Sequence, residues 1–134
     1  MRIVLDTNCL IQSIPRRSPY RKVWDSILSG KNILRVSNEI IEEYAEILQR
    51  LTDQRTANIV IRAIVENPHV EFVSPCYRFN LIQNDPDDNK FVDCAITASA
   101  RFIVTNDTDY NVLFRTPFPH VDVIKLHEFA NSFV

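Results

Sequence analysis

The sequence predicts a three-layer α/β fold with a mostly parallel sheet of about five strands, in a single domain over residues 1–134. Two short apolar runs, Ile3-Val4-Leu5 and Phe102-Ile103-Val104, lack the polar alternation of a half-exposed strand, so both read as strands covered on both faces. Segments with helical periodicity alternate with further apolar runs along the chain. A hydrophobic content of 46% over 134 residues is ample for one core and leaves no length for a second domain.

Taken in order, Asn8 to Ser13 reads as one or two helical turns stopped by Pro15. Ser18-Pro19 opens a helix from about Tyr20 to Ser29, with Val23, Trp24, Ile27 and Leu28 on one face and Gly30 as its stop. Ile33 to Val36 is a second strand. Ser37 or Asn38 caps a long helix to about Leu51, whose buried stripe is Ile40, Tyr44, Ile47, Leu48 and Leu51. Thr52-Asp53 starts another to about Glu66, with Ile59, Val60, Ala63 and Ile64 inward, and Pro68 follows it. Val70 to Val73 is a third strand, and Ser74 to Asn84 an irregular connection. Asp85-Pro86-Asp87-Asp88 opens a helix to about Ala100. A strand at Phe102 to Thr105, a short helix near Tyr110 to Phe114, a strand at Val121 to Ile124 and a terminal helix around His127 to Phe133 complete the chain.

Composition excludes several function classes. With Gly30 as the single glycine, neither a Walker loop nor a GxGxxG dinucleotide turn can be assembled. Cys9, Cys76 and Cys94 are too few and too scattered for a disulfide framework or a CxxC zinc pair, and His69, His120 and His127 lack HExxH spacing. No secretory signal or long apolar span is evident, so a soluble cytoplasmic protein without a membrane partner is expected.

The net charge of -2 hides an uneven distribution. Setting aside Asp6, Glu43, Asp93 and Asp107, singled out below, 13 of the 17 acids remain against 15 Lys and Arg, a balance of +2. Arg16, Arg17, Arg21 and Lys22 crowd into one stretch, which suits a basic rim that holds a polyanion around an acidic centre; a merely solvated surface is the alternative.

The four acids stand out by position. Asp6 and Asp107 each follow the carboxyl end of an apolar strand, where open parallel sheets bind ligands. In the Ser37 helix, at about 100° per residue, Glu42 and Glu46 fall opposite the apolar stripe while Glu43 lies on its edge. Asp93 is the one charge in FVDCAITASA, Phe91 to Ala100, and a lone buried carboxylate calls for a metal, an arginine or a helix N-terminus. Asp85, Asp87 and Asp88 read first as caps, with Asp88 the least settled, and Asp109 is a secondary candidate.

LDTN (Leu5 to Asn8), EEY (Glu42 to Tyr44), DPDDNKFVDCA (Asp85 to Ala95) and VTNDTDY (Val104 to Tyr110) occur in that order within Ile3 to about Phe129. Together they resemble the PIN domain, a nuclease fold found in many toxins of bacterial toxin-antitoxin systems. The resemblance implies a parallel sheet of order 3-2-1-4-5 and an acidic quartet that falls on Asp6, Glu43, Asp93 and Asp107. Asn8 and Thr105 fall where polar side chains support it, with Asp88 and Asp109 as further support. It also implies one or two Mg²⁺ or Mn²⁺ ions, suited to hard oxygen ligands, hydrolysis of RNA phosphodiesters, a small antitoxin protein as partner, and a homodimer or higher homo-oligomer. Cys9 departs from the pattern, since a plain aliphatic is usual there; a thiolate beside these acids is disfavoured. Two other classes stand beside this one. A catalytically silent PIN fold serving as a binding module usually lacks carboxylates, and a haloacid-dehalogenase-like phosphatase needs an acid where Asn8 stands.

Overall fold

β1 (Arg2–Leu5) is the central strand of the sheet, and the rest of the chain winds outward from it in both directions. The structure is a computed structural model that describes residues 1–134. In chain order β1 is followed by α1 (Thr7–Ser13), α2 (Arg21–Ser29), β2 (Ile33–Val36), α3 (Asn38–Leu51), α4 (Gln54–Val65) and β3 (Glu71–Phe72). A 3-10 turn at Pro86–Asp88 leads into α5 (Asn89–Ala98). β4 (Phe102–Val104), a 3-10 segment at Thr108–Arg115, β5 (Val123–Ile124) and α6 (Leu126–Ser132) follow. All four strand pairings are parallel and the order is β3-β2-β1-β4-β5, as the resemblance to the PIN domain implies.

Register explains why the first and fourth strands matter. Ile3 pairs with both Leu34 and Phe102, and Leu5 pairs with Val104, so β1 and β4 end level with each other. The chain leaves β1 toward β2 and later returns to its other side as β4, which puts the topological switch, and the crevice such a switch creates, between those two ends. Successive strand side chains point to opposite faces, and Ile3, Val4 and Leu5 are all fully buried, so both faces are covered.

Local signals set the helix boundaries. Asp6, Ser37 and Asp53 cap α1, α3 and α4 with their side chains, and Gly30 ends α2 in the left-handed region at φ 80°. A Cβ on Gly30 would also lie 2.5 Å from the His69 ring, so the position has two reasons to be glycine. Two predicted stripes shift. In α4 the inward residues are Ala57, Val60 and Ile64, while Ile59 is 60% exposed because it sits about 100° round the helix from Val60. In α3 the stripe is Ile40, Tyr44 and Leu48, and Leu51 turns outward at the frayed last turn.

The connection at Ser74–Asn84 has no strand or helix of its own. Its backbone is held instead by two side chains of α5. Asn89 accepts from the Ile82 N–H (2.9 Å) and donates to the Ile82 carbonyl (2.8 Å), and Asp93 accepts from the Phe79 N–H (3.1 Å). Asn89 and Asp93 are four residues apart and share one face of the helix.

Candidate metal centre and nucleic-acid interface

Asp6 leaves β1 at the crevice and is 7% exposed. Its backbone N–H extends the pairing to the Val104 carbonyl (3.0 Å), which fixes the carboxylate relative to β4. One oxygen accepts from the Thr7 N–H (2.8 Å) and the other from the Thr105 hydroxyl (2.7 Å). Burial still outweighs these bonds and, with Glu43 and Asp107 near, holds its carboxyl above the usual carboxylate range. Asp107 leaves β4 beside it; the Thr105 hydroxyl receives the Asp107 N–H, and the Asp107 carboxylate receives the Asp109 N–H (2.8 Å). Thr105 thus bridges the two strand ends.

Glu43 reaches the same crevice from α3, on the edge of the buried stripe as its helical phase predicts. Tyr44, next to it, donates its hydroxyl to the Leu5 carbonyl (2.5 Å) and ties α3 to the end of β1. The Glu43 carboxylate lies between Lys90 Nζ (2.7 Å) and the Thr7 hydroxyl. Glu42 and Glu46 are exposed. Sequence reasoning passed over both Lys90 and Thr7. Thr7 sits within LDTN as an ordinary small polar residue, and Lys90 reads as a solvated lysine until α5 is seen to carry it beside α3.

The fourth acid at the crevice is Asp88. It is the residue before α5 and 9% exposed, and one of its carboxylate oxygens is buried with no hydrogen-bond partner. Burial, then the neighbouring Asp85, Asp6 and Asp107, push it up to about 8. Single carboxylate oxygens of Asp85, Asp88, Asp107 and Asp109 lie within 4.8 Å of one another. Such a knot of like charge around an unpartnered buried oxygen fits a hard cation, and the donors are all oxygen.

Asp93, the acid expected to complete the quartet, is not brought to this group. Five residues on from Asp88, it is turned about 140° round the helix to the face that holds the Ser74–Asn84 segment. Burial raises its carboxyl, opposed by the Phe79 N–H and then by Arg78, with Glu39 the only acid acting on it. It lines a small polar pocket with Ser37, Glu39, Tyr77, Arg78 and Lys90. The expectation that a buried carboxylate needs a partner was sound, but the partner is a backbone N–H. Asp88, read mainly as a cap, accepts no side-chain capping hydrogen bond from α5.

Asn8 is exposed and lines the cleft over Asp6 and Asp107 together with Gln12 and Asn106. Cys9 is buried beneath, and burial with the Asp6 charge pushes its thiol up to about 12, so it stays protonated. Of the basic run, Arg16, Arg17 and Lys22 are exposed. Arg21 differs: its guanidinium bonds the Ile14 carbonyl at the end of α1 and Asp25 (3.2 Å), so it splices α1 to α2. If Arg16, Arg17 and Lys22 contact RNA phosphates, reversing their charges weakens binding and lowers the slope of log affinity against log salt by about 0.7 per lost phosphate contact. The test is fluorescence anisotropy across a salt series, and an unchanged slope would make the run an ordinary solvated surface.

A family model for the PIN domain matches residues 2–109. The chain belongs to the PIN domain family. Its fold is similar to that of VapBC2 of Rickettsia felis, solved with a DNA fragment of its promoter (TM-score 0.64, 15% identity, 93% of this chain and 98% of that chain). It is also similar to Mycobacterium tuberculosis VapC20, a toxin that cleaves the sarcin-ricin loop (0.59, 14%, 81% and 92%), and to FitAcB of Neisseria gonorrhoeae (0.59, 18%, 93% and 98%). No curated protein matches the sequence. No helix is long and apolar enough to cross a membrane.

Proposed function

We propose that this protein is a divalent-metal-dependent ribonuclease that hydrolyses phosphodiester bonds of single-stranded RNA. The observation that carries this reading is the convergence of Asp6, Glu43, Asp88 and Asp107 at the adjoining ends of β1 and β4, with a buried, unpartnered oxygen on Asp88. Asp6, Asp88 and Asp107 would hold Mg²⁺ or Mn²⁺, with Glu43 at its edge and Asp85 and Asp109 around it. The ion, when bound, supplies a nucleophile from water at neutral pH and offsets the charge that develops on the phosphate. The chain's own part is to fix these carboxylates through Thr7, Thr105 and the strand ends, so that little reorganisation is left for the reaction. Lys90 holds Glu43 in place across the crevice by an ion pair. Arg16, Arg17 and Lys22 would contact phosphates and position the strand without reading its sequence.

The family and the fold's likeness to VapC20, a toxin, support a further proposal. The protein would act as the toxin of such a pair, with a small antitoxin protein as partner.

Purified protein is expected to cut labelled single-stranded RNA with Mg²⁺ or Mn²⁺ and to stop in excess chelator. Glu43→Gln should abolish cleavage, and Glu42→Gln and Glu46→Gln should not, because only Glu43 faces the crevice. Equal cleavage in chelator would remove the metal mechanism. Full activity of Glu43→Gln would remove Glu43 from it.

A further inference from the structure

The crevice does not end at the carboxylates. Beyond Asn106 and Asp107, on the side away from Asn8 and Gln12, a second cleft opens between the 3-10 segment Thr108–Arg115 and the start of α6. Asn106 and Asp107 line both clefts, so the two adjoin at Asp107, one of the acids of the centre. At about 150 Å³ the second cleft is far larger than the roughly 10–15 Å³ that one bound water needs.

Its lining is unusual for a surface depression. Phe114 is 65% exposed and stacks on no other ring of the protein, whereas Tyr110 and Leu113 of the same segment are buried. Asn111, exposed beside it, makes no side-chain hydrogen bond within the protein, and Lys125, on the opposite wall, has no acidic partner. An exposed ring, a free amide and a free ammonium meet one step from a centre suited to phosphate chemistry. A nucleotide offers the matching set: a π-face, a base edge and a phosphate.

We infer that this cleft is a nucleobase subsite. Phe114 stacks on the base of a nucleotide next to the scissile bond, Asn111 bonds its edge and Lys125 contacts a phosphate. The inference rests on the ribonuclease reading for its substrate. Asn106 Oδ1 accepts from the Leu126 N–H (3.1 Å), whereas neither side-chain atom of Asn111 is bonded within the protein and both are left for the base edge. Base preference then depends on Asn111, whereas Phe114 contributes to every base alike.

The test compares wild type with Phe114→Ala, Phe114→Leu and Phe114→Trp. Binding of a labelled single-stranded oligoribonucleotide is measured by anisotropy in chelator, and KM for its cleavage is measured in Mg²⁺. Phe114→Ala should weaken binding and raise KM by at least about fivefold, the lower end of what losing one base stack costs. Phe114→Trp should bind as wild type does, and Phe114→Leu should not. The Mg²⁺-induced rise in melting temperature should be the same in all four proteins. Unchanged binding by Phe114→Ala, or equal rescue by Leu and Trp, would overturn the subsite, the second result pointing to an apolar protein contact. If wild type fails to cut RNA in Mg²⁺, the ribonuclease reading falls by itself, and the binding measurements still decide the subsite.

Discussion

Asp88→Asn is expected to abolish RNA cleavage while making the metal-free protein more stable, and Asp93→Asn to leave cleavage in place. Asp88 is the buried acid that faces Asp85, Asp6 and Asp107, so without a cation its charged form is disfavoured and its carboxyl is pushed up to about 8. In the unfolded chain it returns to the ordinary value near 3.8. The folded state therefore binds the proton more tightly. The stability this contributes is fully present below about pH 4 and is lost as pH rises toward 8. Asp6 and Asp93, both raised chiefly by burial, add changes of the same sign. Metal-free wild type should thus melt at a lower temperature at pH 8 than at pH 5, and Asp88→Asn should lose much of that decline. Mg²⁺ requires the ionised carboxylate, so its apparent affinity for wild type should rise over the same interval. Loss of one preorganised charge from such a centre lowers turnover by a factor on the order of 10² to 10³.

Asp93→Asn keeps an oxygen that can accept the Phe79 N–H, and cleavage should stay within a few-fold of wild type. Melts of the three proteins at both pH values, each with chelator and with Mg²⁺, together with cleavage rates, check the assignment. Loss of cleavage in Asp93→Asn with activity retained in Asp88→Asn would return Asp93 to the metal centre.

The largest stability effect outside the apolar core is expected at Asn89. Its side chain closes a pair of hydrogen bonds with the backbone of Ile82, and both residues are buried. Asn89→Ala leaves one N–H and one carbonyl without partners, at about 1–3 kcal/mol each when water cannot reach them. A loss of roughly 2–6 kcal/mol in all corresponds to a fall in melting temperature on the order of 10 °C for a domain of this size. Asn131→Ala, an exposed change in α6, serves as the control and should shift stability by no more than about 0.5 kcal/mol. Equal melting of the two variants would show that the Ser74–Asn84 segment is held by its apolar anchors alone.

Much of the site was legible because strand ends and helical phase are local properties. The unbroken apolar runs before Asp6 and Asp107 marked both as carboxyl ends of buried strands. Glu43 could be told from Glu42 and Glu46 because residues one and three apart on a helix face different directions. The sheet order was implied by the resemblance of four short motifs to the PIN domain and is the order observed.

What the chain alone determined, then, is the fold class, the strand ends and three of the four acids at the crevice: Asp6, Glu43 and Asp107. Tertiary structure decided the fourth. FVDCAITASA shows that Asp93 is buried, but burial has no direction in a helix that is apolar on nearly every side, and the Ser74–Asn84 backbone that takes up Asp93 and Asn89 has no periodicity of its own. Only the packing of α5 between that segment and the strand ends turns Asp93 away and leaves Asp88 inside. The same holds for Lys90 against Glu43 and for Phe114 over its cleft. Each pairs residues far apart in the chain or leaves a ring uncovered, and such relations exist only once distant segments are packed together.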